Sequence, residues 1–67
     1  MNVTEVTQSV RPANAGRAHY RGDRRSAIGQ LMGPNLLGEL LVVVDATYDL
    51  ESDRTTLGFD YARRWTR

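Results

Sequence analysis

A histidine flanked by arginines is the first feature of the chain that could do chemistry. His19 and Tyr20 lie between Arg17 and Arg21. An imidazole titrates near neutral pH and can transfer a proton, while guanidinium groups bind phosphate through paired hydrogen bonds. Metal-independent cleavage of a phosphate ester needs both functions, since a proton must move and the charged transition state must be stabilised. Alternatively, His19 is a solvated surface residue and Tyr20 packs across strands.

The end of the chain holds a second basic group. Arg63, Arg64 and Trp65 follow an apolar segment, so they are expected at the place where a sheet ends. Two guanidiniums can bind neighbouring phosphates, and an indole ring can stack on a base. The alternatives are that the arginines pair with Asp45 or Asp60, or stay in solvent, and that Trp65 covers the end of the sheet.

Arginine supplies every basic side chain. All nine basic residues are arginine and none is lysine, while eight acidic residues leave a net charge of +1. Arginine binds phosphate bidentately and stacks on bases, although a GC-rich genome would produce the same bias without any function. Arg24 and Arg25 add to the first basic group, and the acidic residues crowd into the second half. We therefore expect separate basic and acidic surfaces.

Metal and phosphate-loop motifs are incomplete. Asp49, Glu51 and Asp53 alternate as in a calcium loop, but Arg54 stands where such a loop requires glycine. A phosphate loop requires lysine, which is missing, and a single histidine without cysteine argues against zinc. We predict neither a metal nor a cofactor.

Length and hydropathy limit the class of protein. Residues 1–67 are expected to form one domain, which buries only about 60% of its unfolded surface, so a homo- or hetero-oligomer is expected. The longest apolar run, Leu40 to Val44, is far shorter than the roughly 18 residues of a membrane span. The amino terminus lacks a secretory pattern. We predict a cytoplasmic protein that does not contact the membrane.

The elements that would position these residues begin with a predicted helix. Valines recur at helical spacing before Pro12 and predict a short helix over residues 5–10, which the proline would end. A weakly alternating segment follows over residues 16–21. Residues 21–24 then resemble a hairpin turn that leads into a strand over residues 25–32.

The most apolar run predicts a central strand. Leu40 to Val44 shows no alternation, as expected of a strand that is covered on both faces. The following strand places Leu57, Phe59 and Tyr61 on one side and polar residues on the other. The valines of the predicted helix are the only cover in the chain for the second face. We therefore predict an α+β fold, with a short amino-terminal helix packed on a three- or four-stranded antiparallel sheet.

A loop with two leucines is a candidate for protein binding. Leu36 and Leu37 lie between Pro34 and Gly38, which mark a loop. The two leucines either cover the edge of the core or project into a partner.

Short motifs in the second half resemble a known family. Ala27-Ile-Gly29, Gly38-Glu-Leu-Leu-Val-Val-Val44 and Tyr61-Ala-Arg-Arg-Trp-Thr66 follow the order of A-I-G, G-R-L-L-V-V-V and S-A-R-R-A-T segments in BrnT-like toxins. This family belongs to the RelE/ParE toxin superfamily. The likeness covers about residues 25–67, and residues 3–10 would take the place of the helix that precedes the family's sheet. The family's opening strand and its lysine-histidine-glycine segment are absent.

The resemblance implies a toxin of a superfamily of small ribonucleases and gyrase inhibitors, neutralised by a cognate antitoxin, and Arg63 and Arg64 match the family's paired arginines. Together with the chemistry of the residues themselves, this predicts RNA binding and cleavage with His19 and Arg63 as the catalytic residues. The RNA-binding set would comprise Arg17, Arg21, Arg24, Arg25, Arg63, Arg64 and Trp65. The alternative is a non-enzymatic protein-binding module, such as an antitoxin-like, immunity or phage-encoded regulator, that acts through Leu36, Leu37 and free sheet edges.

Overall fold

The computed structural model describes residues 4 to 65, with the exception of the Trp65 side chain. Within these residues the chain forms strands, one 3-10 turn and one short helix. The strands are β1 (Glu5–Ser9), β2 (Arg17–Arg21), β3 (Leu31–Met32), β4 (Leu41–Asp49) and β5 (Arg54–Tyr61). The 3-10 turn is Arg25–Ala27, and the helix α1 is Ala62–Trp65.

All strand pairs are antiparallel. The order across the sheet is β1-β4-β5-β2, and β3 pairs with the start of β4 beside β1. The two longest strands, β4 and β5, thus lie at the centre. The prediction of an antiparallel sheet is confirmed, and the valine run does lie in a central strand.

The predicted amino-terminal helix is wrong. Glu5–Ser9 is a strand that pairs with Asp45–Asp49 of β4, and all five of its side chains are exposed. β-branched residues lose rotamer freedom in a helix and fit a pleated strand better, and β4 offers a free edge here. Val6 and Val10 are 37% and 57% exposed, so they do not cover the core. Val3 lies outside the described residues. The fold is mostly antiparallel sheet with its short α-helix at the carboxyl end, and no helix occupies the place that the family resemblance implied.

The predicted hairpin at residues 21–24 is also wrong. β2 pairs with β5 instead of residues 25–32, of which only Leu31–Met32 forms a strand. Gly22 has a φ of 87°, a conformation that suits glycine, and it changes the direction of the chain. Buried Thr55 accepts a hydrogen bond from Arg24 N at 2.8 Å and donates one to Gly22 O. These bonds hold the turn against β5.

A bulge in β4 creates the apolar face of the sheet, here called the dry face. Val43, Ala46, Leu57 and Phe59 form its buried cluster, against which residues 27–28 pack. Val43 and Ala46 are three residues apart and would point to opposite faces of a regular strand. The register shifts between Val43 and Asp45, and the extra residue brings both side chains to the same face.

The second face of β4 is covered by an extended segment, residues 11–14, here called the crossing segment. Before it, Val10 N donates to Val44 O of β4 at 2.8 Å, and after it Ala15 N donates to Phe59 O of β5 at 2.8 Å. The chain therefore passes over both central strands. It crosses above Gly58, where an added Cβ would lie 2.6 Å from the Ala13 Cβ. This segment, rather than a helix, buries the second face of the valine run.

Candidate anion-binding face

We call the face opposite the dry face the wet face. The crossing segment covers it at Gly58, and the rows beyond that residue are open and polar. Because alternate residues of a strand share a face, the register defines rows across β1, β4, β5 and β2. There are three such rows: Ser9, Asp45, Gly58 and Arg17; Thr7, Thr47, Thr56 and His19; Glu5, Asp49, Arg54 and Arg21.

Charge is divided across this face by strand. The acidic side chains of the rows, those of Glu5, Asp45 and Asp49, stand on β1 and β4. The basic half of the face lies on β2 and β5 and consists of Arg17, His19, Arg21 and Arg54. Acidic and basic surfaces are therefore separated within one face of a sheet.

The first row contains a structural ion pair. Arg17 Nη1 lies 3.0 Å and 3.1 Å from the two carboxylate oxygens of Asp45. The Asp45 side chain is only 9% exposed, whereas that of Arg17 is 53% exposed. A carboxylate with so little access to water needs a cation beside it. Arg17 therefore has a partner within the fold, and its phosphate-binding role stays a prediction.

The second row is a row of hydroxyl groups that ends at the histidine. Thr7 Oγ1 and Thr47 Oγ1 lie 3.0 Å apart, and Thr56 Oγ1 lies 2.9 Å from His19 Nδ1. His19 is exposed on the outer strand β2. The bond to Thr56 orients its ring, and among the described residues Nε2 has no partner. Nε2 is the nitrogen available to a ligand.

The third row opposes two arginines directly. Arg21 and Arg54 are cross-strand partners, and like charges in this arrangement destabilise a sheet. Neither guanidinium forms an ion pair with any residue from 4 to 65. Asp49, next to Arg54, accepts two hydrogen bonds from its own turn instead, both at 3.0 Å. His19, Tyr20, Arg21 and Arg54 line a concavity of about 220 Å³. An anion placed there would relieve the repulsion between the two guanidiniums.

Two other predicted ligands face different surroundings. Arg25 Nη2 lies 2.6 Å from Asp23 Oδ2, and its guanidinium lies over the Tyr48 ring at 5.5 Å, on the dry side of the sheet. The hydrogen bonds from Arg25 lower the pKa of the Asp23 carboxyl to about 2. Arg24 Nε donates to Arg21 O at 3.0 Å. Arg25 is thus separated from the wet face, and Arg24 lies at the end of β2.

The carboxyl-terminal arginines lie at the far end of the sheet. Arg63 Nη1 lies 2.7 Å from Glu39 Oε2, and its guanidinium lies over the Tyr61 ring at 4.8 Å. The partner of Arg63 is therefore neither of the carboxylates named as alternatives, Asp45 and Asp60. The Arg64 carbonyl accepts a hydrogen bond from Arg11, while the Arg64 side chain is exposed. The Trp65 side chain lies outside the described residues.

The two residues predicted to be catalytic do not share a site. His19 is the cross-strand partner of Thr56, whereas Arg63 lies over Tyr61, five residues further along β5. Five strand residues span about 17 Å. Tyr61 also points to the dry face, because it alternates with Asp60, whereas His19 belongs to the wet face. The arrangement brings His19 together with Arg21 and Arg54 instead.

Arg54 and the threonines are site residues that sequence reasoning missed. From the sequence, Arg54 was noted only as the residue that breaks the calcium-loop pattern, yet it begins β5. Thr56 follows it by two residues and so shares its face. The alternation of residues 54, 56 and 58 was the sequence signal that they share a face. It identifies them as site residues only when the partner strand is known to be β2.

The leucine loop is held in one conformation with its leucines exposed. Leu36 and Leu37 are 106% and 84% exposed, so the alternative in which they cover the core is wrong. Asn35 Oδ1 accepts hydrogen bonds from Leu37 N at 3.0 Å and Glu39 N at 2.9 Å. These bonds stabilise the turn that presents the two side chains.

Comparisons with known proteins return no match. No family model matches the chain, and neither does any curated protein or any solved structure. The resemblance to BrnT-like toxins therefore stays a prediction. Between residues 4 and 65, no helix has the length and apolar character to cross a lipid bilayer.

Proposed function

We propose that this protein binds RNA through the basic half of its wet face. The observation that carries the proposal is the direct opposition of Arg21 and Arg54, which have no carboxylate partner among residues 4–65. Such a pair costs stability in the free protein and gains a partner when an anion binds. Phosphate is the anion that suits the planar fork of arginine, because two parallel hydrogen bonds can form.

The shape of the basic half suits a polymer better than a free phosphate. Arg17, His19 and Arg21 recur at every second position of β2, about 6.8 Å apart. Donors repeated at a regular spacing can contact successive phosphates of one backbone. Thr56, directly beside this column, and Thr47, one strand further across the sheet, offer hydroxyl groups that can bond to the ribose 2′-hydroxyl of RNA.

We also propose that the bound RNA is cleaved, with His19 but without Arg63 as a catalytic residue. His19 is the candidate for proton transfer, since Thr56 orients its ring and Arg21 and Arg54 can stabilise charge on the phosphorane. Arg63 has no part in this arrangement. A toxin of the kind that the resemblance implies would use the basic half of the wet face, and a cognate antitoxin would act by covering it.

Paired substitutions test the proposal. In Arg21→Ala/Arg54→Ala, we expect RNA affinity to fall at least about tenfold and the salt slope of binding to fall by about 2, because two phosphate contacts are lost. The matched control is Arg63→Ala/Arg64→Ala, which also removes two exposed arginines and should leave affinity within about threefold. Fluorescence anisotropy with labelled RNA at about 50 and 200 mM salt measures both quantities.

Two outcomes would contradict the proposal. One is the absence of RNA binding by the native protein at low salt. The other is an equal loss of affinity in the two double variants, which would mean that only net charge matters. For cleavage, His19→Gln should abolish RNA degradation while retaining binding. If purified native protein leaves RNA intact, binding without catalysis is the remaining function.

A protein-binding role is the second candidate. It is favoured by the exposure of Leu36 and Leu37 in a turn that Asn35 holds rigid. Exposed leucines in an ordered loop are typical of surfaces that a protein partner covers. Association that persists at high salt in the native protein and is lost in Leu36→Asp would support it, with the exposed Leu50→Asp as the matched control. If the native protein stays monomeric and binds none of the proteins encoded by neighbouring genes, the protein-binding role is contradicted.

A further inference from the structure

We infer that the wet face binds double-stranded rather than single-stranded RNA, an inference that rests on the proposed RNA binding. The distribution of aromatic rings is its starting point. Tyr20, Tyr48, Phe59 and Tyr61 all belong to the dry face by their strand register. Among the side chains that the structure describes, His19 is the only aromatic one that the register places on the wet face, and Tyr20 lines the concavity beside it from the next position of β2.

Recognition of single-stranded RNA depends on rings that stack against splayed bases. The sheet surfaces that bind single strands present several aromatic side chains for successive bases. Here one imidazole is present, and its Nδ1 already bonds to Thr56 at 2.9 Å. The wet face therefore lacks a stacking platform and is equipped for the backbone, which a duplex presents while its bases stay paired.

The groups that are present match the outside of an RNA duplex. The minor groove of A-form RNA is wide and shallow, and it displays 2′-hydroxyl groups between two lines of phosphates. On the wet face, Thr7, Thr47 and Thr56 form a line of hydroxyls about 10 Å long across three strands. The Arg21 and Arg54 pair lies in the next row, about 6.8 Å away. Threonine hydroxyls can both donate to and accept from a 2′-hydroxyl.

The acidic half of the wet face restricts the orientation in which a duplex can bind. Glu5 and Asp49 continue the row of Arg54 and Arg21 on the side away from β2. Carboxylates repel phosphates, so the backbone of a bound duplex is confined to β2 and β5. The row of threonine hydroxyls then faces the minor groove rather than the second line of phosphates. A polar, ring-poor surface with one basic side thus fits a shallow groove in one orientation.

Three ligands of matched sequence test the inference on the full chain. They are an RNA duplex of about 16 base pairs, one of its strands alone, and the corresponding DNA duplex. We expect the RNA duplex to bind about tenfold more tightly than the single strand, and more tightly than the DNA duplex, which lacks 2′-hydroxyls. Equal or tighter binding of the single strand would overturn the inference and leave the proposed function intact. Binding of no RNA would remove the proposed function itself.

A hydroxyl-deletion variant separates the groove contacts from the phosphate contacts. Valine has nearly the shape of threonine and favours strands, so Thr47→Val/Thr56→Val should fold, as circular dichroism and thermal melting can verify. We expect this variant to lose about fivefold in affinity for the RNA duplex and nothing for the DNA duplex. Arg21→Ala/Arg54→Ala should weaken both. An identical loss on RNA and DNA in the valine variant would overturn the assignment of the threonines.

Discussion

Arg63 and the opposed pair of Arg21 and Arg54 lie in different electrostatic surroundings although they share a residue type. Arg63, at the end of the sheet, bonds to Glu39 at 2.7 Å and lies over the Tyr61 ring at 4.8 Å. Arg21 and Arg54 instead face each other across two strands. The first arrangement satisfies a cation, and the second leaves charge for a ligand. Neighbouring side chains, rather than the number of arginines, decide where a phosphate can bind.

Reversing one charge of the opposed pair should have the largest effect on this comparison. Arg54→Glu would replace the repulsion with an attraction to Arg21 and would place a carboxylate in the phosphate site. We expect RNA affinity to fall about a hundredfold, while the free energy of unfolding changes by less than about 0.5 kcal/mol, because the new carboxylate faces Arg21 on one side and Asp49 on the other. Anisotropy and urea unfolding measure the two changes. A variant that loses stability as well as binding would show that Arg54 has a structural role.

Removing the paired arginine of β2 should affect stability most. Arg17→Ala leaves the Asp45 carboxylate, which is 9% exposed, without its cation. We expect a loss of about 2 kcal/mol in urea unfolding, a moderate value because Arg17 itself is half-exposed. Arg21→Ala, on the same face of the same strand, is the matched control and should change stability by less than about 0.5 kcal/mol. Equal losses in the two variants would erase the distinction between paired and unpaired arginines.

The carboxyl-terminal pair should contribute little to either property. The Arg63 side chain is 68% exposed, so solvent screens its bond to Glu39. We expect Arg63→Ala to cost about 0.5 kcal/mol in urea unfolding and to change RNA affinity by less than about twofold. A tenfold loss of RNA affinity in this variant would show that the phosphate site lies at the end of the sheet and not at Arg21 and Arg54.

The smallest expected effect is a change in the free energy of unfolding at acidic pH. The folded-state pKa of Asp23 is about 2, below its ordinary value of 3.8, because Arg25 donates hydrogen bonds to the carboxylate. A lowered pKa stabilises the fold above pH 3.8, and this contribution is lost as the pH falls toward 2. The difference in unfolding free energy between the native protein and Asp23→Asn should therefore be constant near neutral pH and shrink between these two values. A constant difference down to pH 2 would show that the carboxylate charge is irrelevant.

The central strands of the sheet could be predicted from the sequence, whereas its edge strands could not. An unalternating valine run indicated a central strand correctly, and the spacing of Leu57 and Phe59 indicated the apolar side of β5. Gly58 and Asp60 are buried rather than wet, because the crossing segment passes over that end of the face. The strand β1 was mistaken for a helix, since the prediction rested on a few valines and the four-residue interval of Val6 and Val10 fits a strand as well as a helix.

The candidate site could be predicted only in part. The weak alternation of residues 16–21 indicated the strand that the structure shows as β2, and the common side of Arg17, His19 and Arg21, one column of the basic half, follows from that strand. The second column depends on contacts between residues more than thirty positions apart, such as Arg21 and Arg54. These contacts follow from the register of β2 against β5. Local sequence patterns do not contain that register, because they do not show which strand pairs with β5.

The crossing segment links β1 and β2, which lie at opposite borders of the sheet. Neither border strand can detach without pulling on the connection to the other, so we expect the two to come apart as one cooperative unit. The central hairpin of β4 and β5 has a short turn and the smallest loop-closure cost, so it can form first and persist longest. Amide exchange should then be slow in β4 and β5 and uniformly faster at both borders. A binding face whose two outer columns are released together would lose its ligand in a single step.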